Sequence, residues 1–260
     1  MSTPFDKVIE RIATLGYHNH RLEGHSDIVS NGIVEDLRKS CKPFRQDLES
    51  GAIGTWLNVR APGARGRKID LFIGEPQRGA NVPNISKLRI CVENKSVVTA
   101  HRNRGSRFDD LNETMNVVHQ ARQEAVLVAT VLVGLARKVL NVPDQVKNRF
   151  RGNIQEFETK IVPRLSKGDQ KLWSDFPWAT SLNSANDAAR TVARFRMLPT
   201  RRPGHTHVQG YDFVLLVPVY IDNVNPPSLA FDNDLGIDVE RQYKQMIDTI
   251  CKGYRTRWHL

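Results

Sequence analysis

Three side chains on two short apolar runs could do metal and water chemistry together: Asp70 in "KIDLFIG", and Glu93 with Lys95 in "KLRICVENK". Strand side chains alternate between faces, so Leu88, Ile90 and Val92 share one side while Cys91, Glu93 and Lys95 share the other. In the same way Ile69, Leu71 and Ile73 face one way, and Asp70 and Phe72 the other. Residues i and i+2 stand roughly 6.5–7 Å apart on a strand and paired strands about 4.8 Å apart, so adjacent runs would bring Asp70 close enough to Glu93 to share an ion. Two carboxylates held together repel, and a hard divalent cation such as Mg²⁺ relieves the repulsion. An ammonium beside them can orient or activate a water, or stabilise charge developing on a phosphate. The chemistry that follows is metal-assisted cleavage of a phosphodiester. A cross-strand surface pair of Glu93 with Lys95, next to a solvent-facing Asp70, would leave the same pattern with little energetic consequence.

Basic segments flank these runs. Arg60, Arg65, Arg67 and Lys68 lead into the Asp70 strand, and His101, Arg102, Arg104 and Arg107 follow Lys95 and end at a predicted helix start. Both segments carry Gly, which permits close backbone approach to a ligand, and guanidinium groups and helix N-termini both favour phosphate. Together they are expected to contact DNA, although solvation alone accounts for any single Arg. A third basic segment, "RRPGHTH", adds Arg201 and Arg202, which would touch DNA or face solvent. The histidines His18, His20, His25, His205 and His207 have no cysteine or further ligand at zinc spacing and read as polar loop residues.

The elements that must position these groups are legible from periodicity. Helical stripes cover 4–15 and 26–41, the second with Ser26 as a candidate N-cap. Strands are expected at 53–59, 68–74 and 87–95. A helix follows over 107–124, opened by the Ser106/Asp109 capping pattern, and then an apolar run at 125–135 that reads as a buried strand, with a buried helix fitting the same pattern. Residues 143–172 read as mostly helical with a break at Pro163. Residues 184–195 form a helix, and 211–222 a strand in which Pro218 suggests an edge or a bulge. An amphipathic basic helix closes the chain. With no repeat, low-complexity tract or linker, the expectation is one α/β domain over 1–260, its core about 26–135 plus 211–222, with helical additions at 143–197 and 235–258.

Composition narrows the class. Lys plus Arg number 38 against 28 Asp plus Glu, a net charge of +10 that favours a polyanionic partner, most commonly nucleic acid. Cys41, Cys91 and Cys251 are far apart with no C-x-x-C pair, so neither a disulfide framework nor a cysteine-rich zinc site is expected, and a reducing cytoplasm fits. The N-terminus lacks the apolar core of a signal peptide, and the longest apolar run, 125–136, is too short to span a bilayer.

Asp70, followed on the next strand by Glu93-Asn94-Lys95, resembles the PD-(D/E)xK nuclease superfamily, whose best-known members are type II restriction endonucleases. The likeness covers about 26–135 and implies a restriction-endonuclease-like core, a mixed central sheet flanked by helices in the order α-β-β-β-α-β. It implies that Asp70 and Glu93 bind Mg²⁺, that Lys95 positions the attacking water, and that an acidic residue of the first core helix joins the metal, with Glu35 the best placed and Asp36 second. It implies a homodimer acting on double-stranded DNA. The chain departs from the motif at Ile69, where the family has Pro. The expected function is a Mg²⁺-dependent DNA endonuclease of the type II restriction kind. The alternatives are a repair, transposition or junction-resolving nuclease on the same core, or a non-catalytic basic DNA-binding module.

Overall fold

The computed structural model describes residues 2–15, 24–60, 68–98, 101–141, 149–150, 153–166, 168–202, 204–231 and 234–259. The chain enters through helices α1 (Pro4–Leu15), α2 (Gly24–Ser40) and α3 (Lys42–Glu49), then lays down β1 (Gly54–Arg60), β2 (Lys68–Pro76) and β3 (Pro83–Val97) as an antiparallel meander. Helix α4 (Arg104–Ala121) crosses over to β4 (Val126–Gly134), which runs parallel to β3. An excursion follows. It contains β5 (Lys138–Leu140), a continuous helix α5 made of Ile154–Glu156, Phe157–Ile161 and Val162–Ser166, the short α6 (Leu172–Asp175), β6 (Thr180–Leu182) and α7 (Asp187–Phe195). The chain then adds β7 (Phe213–Tyr220) parallel to β4 and β8 (Ser228–Leu229) antiparallel at the edge, and ends in α8 (Val239–Trp258).

The result is a six-stranded mixed sheet in the order β1-β2-β3-β4-β7-β8, with a separate two-stranded sheet of β5 and β6. Strand β4 is an unbroken run of Val, Leu, Ala and Thr closed by Gly134, and all but Leu132 are fully buried, as expected for a parallel strand covered on both faces. Helix α1 buries Phe5, Val8 and Ile12, a stripe at helical spacing. The main core joins the sheet to the helices, including Leu37 of α2 and Met246, Ile250 and Tyr254 of α8. Under the small sheet lies a second apolar cluster that includes Leu140, Phe157, Leu165, Leu172 and Phe176.

Several expectations need correction. Helix α4 begins at Arg104, ahead of Ser106, and no side chain caps it. Helix α3, for which no element was expected, follows Cys41 and opens with Pro43 in its first turn. Pro163 does not break α5, because the preceding turn is widened to π geometry and Val162 N–H reaches back to Phe157 O. Pro218 sits on the next-to-last strand, whose outer neighbour β8 covers two residues only. Its carbonyl accepts from Ala230 N–H at 3.0 Å, just beyond the two rungs of the β7–β8 pairing. The expectation of unpaired cysteines fails: Cys41, just after α2, is disulfide-bonded to Cys251 in α8, with Cα atoms 5.5 Å apart across a sequence separation of 210 residues. With two of the three cysteines paired, cysteine usage no longer points to a reducing compartment. No helix among the described residues is long and apolar enough to cross a membrane.

Candidate active site

The β2–β3 ladder pairs Leu71 with Val92 and Phe72 with Cys91, so the next rung sets Asp70 against Glu93. The Asp70 carboxylate accepts the backbone N–H of Asn94 at 2.6 Å, which ties the end of β2 to the residue between Glu93 and Lys95. Lys95 donates from its ammonium to Glu93 Oε1, and both side chains are largely withdrawn from solvent, Glu93 to 1% exposure. On the other flank β4 places Ala129 beside Glu93 and Val131 beside Lys95. These neighbours offer the carboxylate no hydrogen bond, and Glu93 Oε2 is buried with no partner among the described residues.

Asn94 is the hinge pin of the arrangement. Its amide nitrogen donates to Ser26 Oγ at 2.9 Å and Ser30 Oγ at 3.1 Å on α2, while its amide oxygen accepts from Thr130 Oγ1 at 2.7 Å on β4. Ser26 and Ser30 are four apart, one turn of the same helix face. The first turn of α2 also carries Asp27, which accepts from Asn58 Nδ2 at 3.1 Å. Asn58 holds a positive φ of 55° inside β1, a conformation Asn tolerates better than most residues.

Burial dominates the electrostatics. Desolvation, with repulsion from Asp70 behind it, pushes the Glu93 carboxyl up to about 7 against the pull of Lys95. Asp70 is also raised, by burial and the nearby Asp27, against the Asn94 amide, Lys95 and Ser26. Burial and the same two carboxylates lift the Cys91 thiol well above its ordinary value. A site that raises two adjacent carboxyls and leaves one buried oxygen unpartnered favours a proton or a cation there.

The three residues expected to converge do so. Glu35 does not join them: it lies on the exposed side of α2, paired with Arg38 at 3.1 Å, about 12 Å further along the helix than Asp27 at 1.5 Å per residue. Asp36 is turned to α8, where it accepts from Tyr243 OH at 2.7 Å. The expected trio of ligands is therefore corrected, and no group of three or more His, Cys, Asp or Glu among the described residues is arranged to hold a metal. Asp27 is the acidic residue that α2 does bring to Asp70. The signal that could have found it is its position in the first turn, beside Ser26, at the end of α2 nearest the strands.

The basic residues divide. Arg65 and Arg67, like His18 and His20, lie outside the described residues, and Lys68 is exposed at the start of β2, two residues from Asp70. His101 is buried between Thr191 Oγ1 at 2.7 Å and Gly134 O at 2.9 Å, and burial lowers its pKa, so it is a neutral strut and not a DNA contact. Arg104 is half-buried and bonds His101 O and Asp187; Arg107 is exposed and paired with Asp110. Arg102 is exposed and has no acidic partner among the described residues. Arg201 is corrected too. It is wholly buried, paired with Asp212 at 3.1 Å and bonded to Gln123 O at 2.8 Å. Its bond to Ala125 O fixes it at the amino end of β4, about 20 Å by strand rise from the rung of Lys95. The exposed Arg202 lies beside it, at the wrong end of the sheet for this site.

Compared with protein-family models, with curated proteins and with solved structures, the chain matches none.

Proposed function

We propose that this chain is a metal-dependent nuclease that cleaves phosphodiester bonds in double-stranded DNA, with Asp70, Glu93 and Lys95 at its centre. One observation carries the reading: two adjacent carboxyls, one with a buried unpartnered oxygen, share a strand pair with a half-buried lysine. The donor set fits Mg²⁺, which binds through one or two carboxylates and otherwise keeps water and phosphate oxygens. Bound by Asp70 and Glu93, Mg²⁺ would supply positive charge to the scissile phosphate and lower the pKa of a water. Asp70 is held in place by the Asn94 amide, and Glu93 must give up its proton to act as a ligand. Lys95, freed from Glu93, donates hydrogen bonds to a water or a phosphate oxygen at the same point. The net charge of +10 supports a polyanionic substrate.

Within this class, a type II restriction enzyme acting as a homodimer on the two strands of one site is the narrower reading. The test is cleavage of a linear duplex with Mg²⁺ and with EDTA by wild type and Asp70→Asn. The proposal requires Mg²⁺-dependent cutting by wild type and its loss in the variant. The bond between Lys95 and Glu93 favours one competing reading, a basic DNA-binding module in which the pair is structural. Salt-sensitive binding with no cutting under any divalent metal would select that reading.

A further inference from the structure

Resting on the nuclease reading, we infer that the small β5–β6 sheet and the 3-10 turn His101–Asn103 form a second contact for the DNA backbone, with Arg102 and Lys138 as its cations. The place is set by the fold. From Lys95 the chain runs through Val97, the end of β3, to His101, whose ring bonds Gly134 O at the carboxyl end of β4. Lys95 pairs with Val131, three residues before Gly134, so the turn lies about 10 Å along the strands from the candidate active site. That distance is about three base steps of a duplex strand at roughly 3.4 Å each. Ligands of open α/β sheets collect at this edge, outside the carboxyl ends of the parallel strands.

A cleft of about 380 Å³ opens there, lined by Arg102 from the turn, Ser181, Leu182 and Asn183 from β6 and its exit, and Asp187 at the start of α7. Its carboxylate does not repel an anion unaided, because Asp187 accepts from Arg104 at 3.4 Å and from the Ser184 amide at 2.8 Å. The wall is fixed: Asn183 donates to Ala136 O at 3.0 Å, and Ser181 accepts from Asn141. Lys138 lies directly across β5–β6 from Leu182, with its ammonium 4.6 Å from the centre of the Trp173 ring. Arg102 and Lys138 are both exposed, and neither has an acidic partner among the described residues. The neighbouring aromatics favour backbone over base contact. Trp173 and Trp178 each carry a cation on a face, Lys138 and Arg149, and the Trp173 N–H is taken by Gln170. Stacking of unpaired bases needs open rings, whereas a duplex presents its phosphates outward.

The experiment measures binding of a short fluorescent duplex in EDTA across a KCl series, for wild type, Arg102→Ala/Lys138→Ala and the charge-keeping Arg102→Lys/Lys138→Arg. Each lost phosphate contact removes about 0.9 from the slope of log affinity against log salt, so the alanine pair flattens it by about 1.8. The charge-keeping pair retains the wild-type slope. An unchanged slope in the alanine pair, or a flattening seen with a single strand and not with the duplex, overturns the inference even if wild type cuts. A flattened slope in a protein that never cuts upholds this contact and overturns the nuclease reading.

Discussion

Burial raises the Glu93 carboxyl of the candidate site, and the shift has a sign that can be measured. Its folded pKa of about 7 lies above the ordinary 4.5, so the folded chain holds this proton more tightly than the unfolded chain. The stability linked to the proton is full below about 4.5 and is lost as pH rises through about 7, and the raised Asp70 adds in the same direction. Without divalent metal, wild type is expected to lose melting temperature between about pH 5 and about pH 8, and Glu93→Gln to lose clearly less. Added Mg²⁺ at the higher pH should raise the wild-type melting temperature and leave Glu93→Gln unmoved. Equal pH profiles for the two proteins would contradict the burial argument. Asn94 makes a second prediction at this scale. Asn94→Ala strands Ser26, Ser30 and Thr130 around a half-buried gap, and unfolding in urea should show a loss of roughly 1–3 kcal/mol. A midpoint equal to wild type would mean that the tie between α2 and β4 holds nothing. The spacing of Glu93 and Lys95 made the acidic pair legible in advance, since alternation along a strand is a local rule. The roles of Asn94 and Asp27 were not legible, because they depend on how α2 lies against the sheet.

At the scale of elements, the site depends on three rungs of paired strand and on how Val98 and the 3-10 turn His101–Asn103 pack at the end of β4. Gly134, at the carboxyl end of β4, is where both meet it. A Cβ placed there would stand 2.2 Å from the Val98 carbonyl oxygen, far inside contact distance. Gly134→Ala is therefore expected to push the turn away, freeing His101 from the Gly134 carbonyl and lowering the melting temperature as well as cleavage. An unaltered melting curve would show that the turn is not held there. The three core strands could be read from their alternation, whereas α4 was expected from a capping pattern that the structure does not use, and β4 from an apolar run that fits a buried helix as well. The fates of His101 and Arg201 could not: a histidine and an arginine in polar sequence look exposed until the fold supplies Gly134 O for one and Asp212 for the other. Helical phase also misled, since Glu35 is acidic and in the right helix but about two turns away from the strands' end.

For the molecule as a whole, α8 is the strap that closes the core. It is bonded to α2 through Tyr243 and Asp36, to α3 through Tyr254 and Asp47, and covalently through Cys41–Cys251. Cysteines 210 residues apart give no local sign of pairing, and only the packed chain brings them together. Reduction, or Cys251→Ser, should lower the stability by about 2–4 kcal/mol in urea melts, with a smaller shift counting against a covalent strap. The candidate active site lies on β2 and β3, away from that strap, so the reduced protein should still cut DNA under conditions where it remains folded. The most direct test of the central claim is relaxation of supercoiled plasmid in Mg²⁺ by wild type and by Lys95→Ala, each checked for an intact fold. The account predicts nicking by wild type, its abolition by EDTA, and a fall of roughly 100-fold or more in the folded variant. Equal nicking by both proteins would contradict the assignment of Asp70, Glu93 and Lys95 as one site.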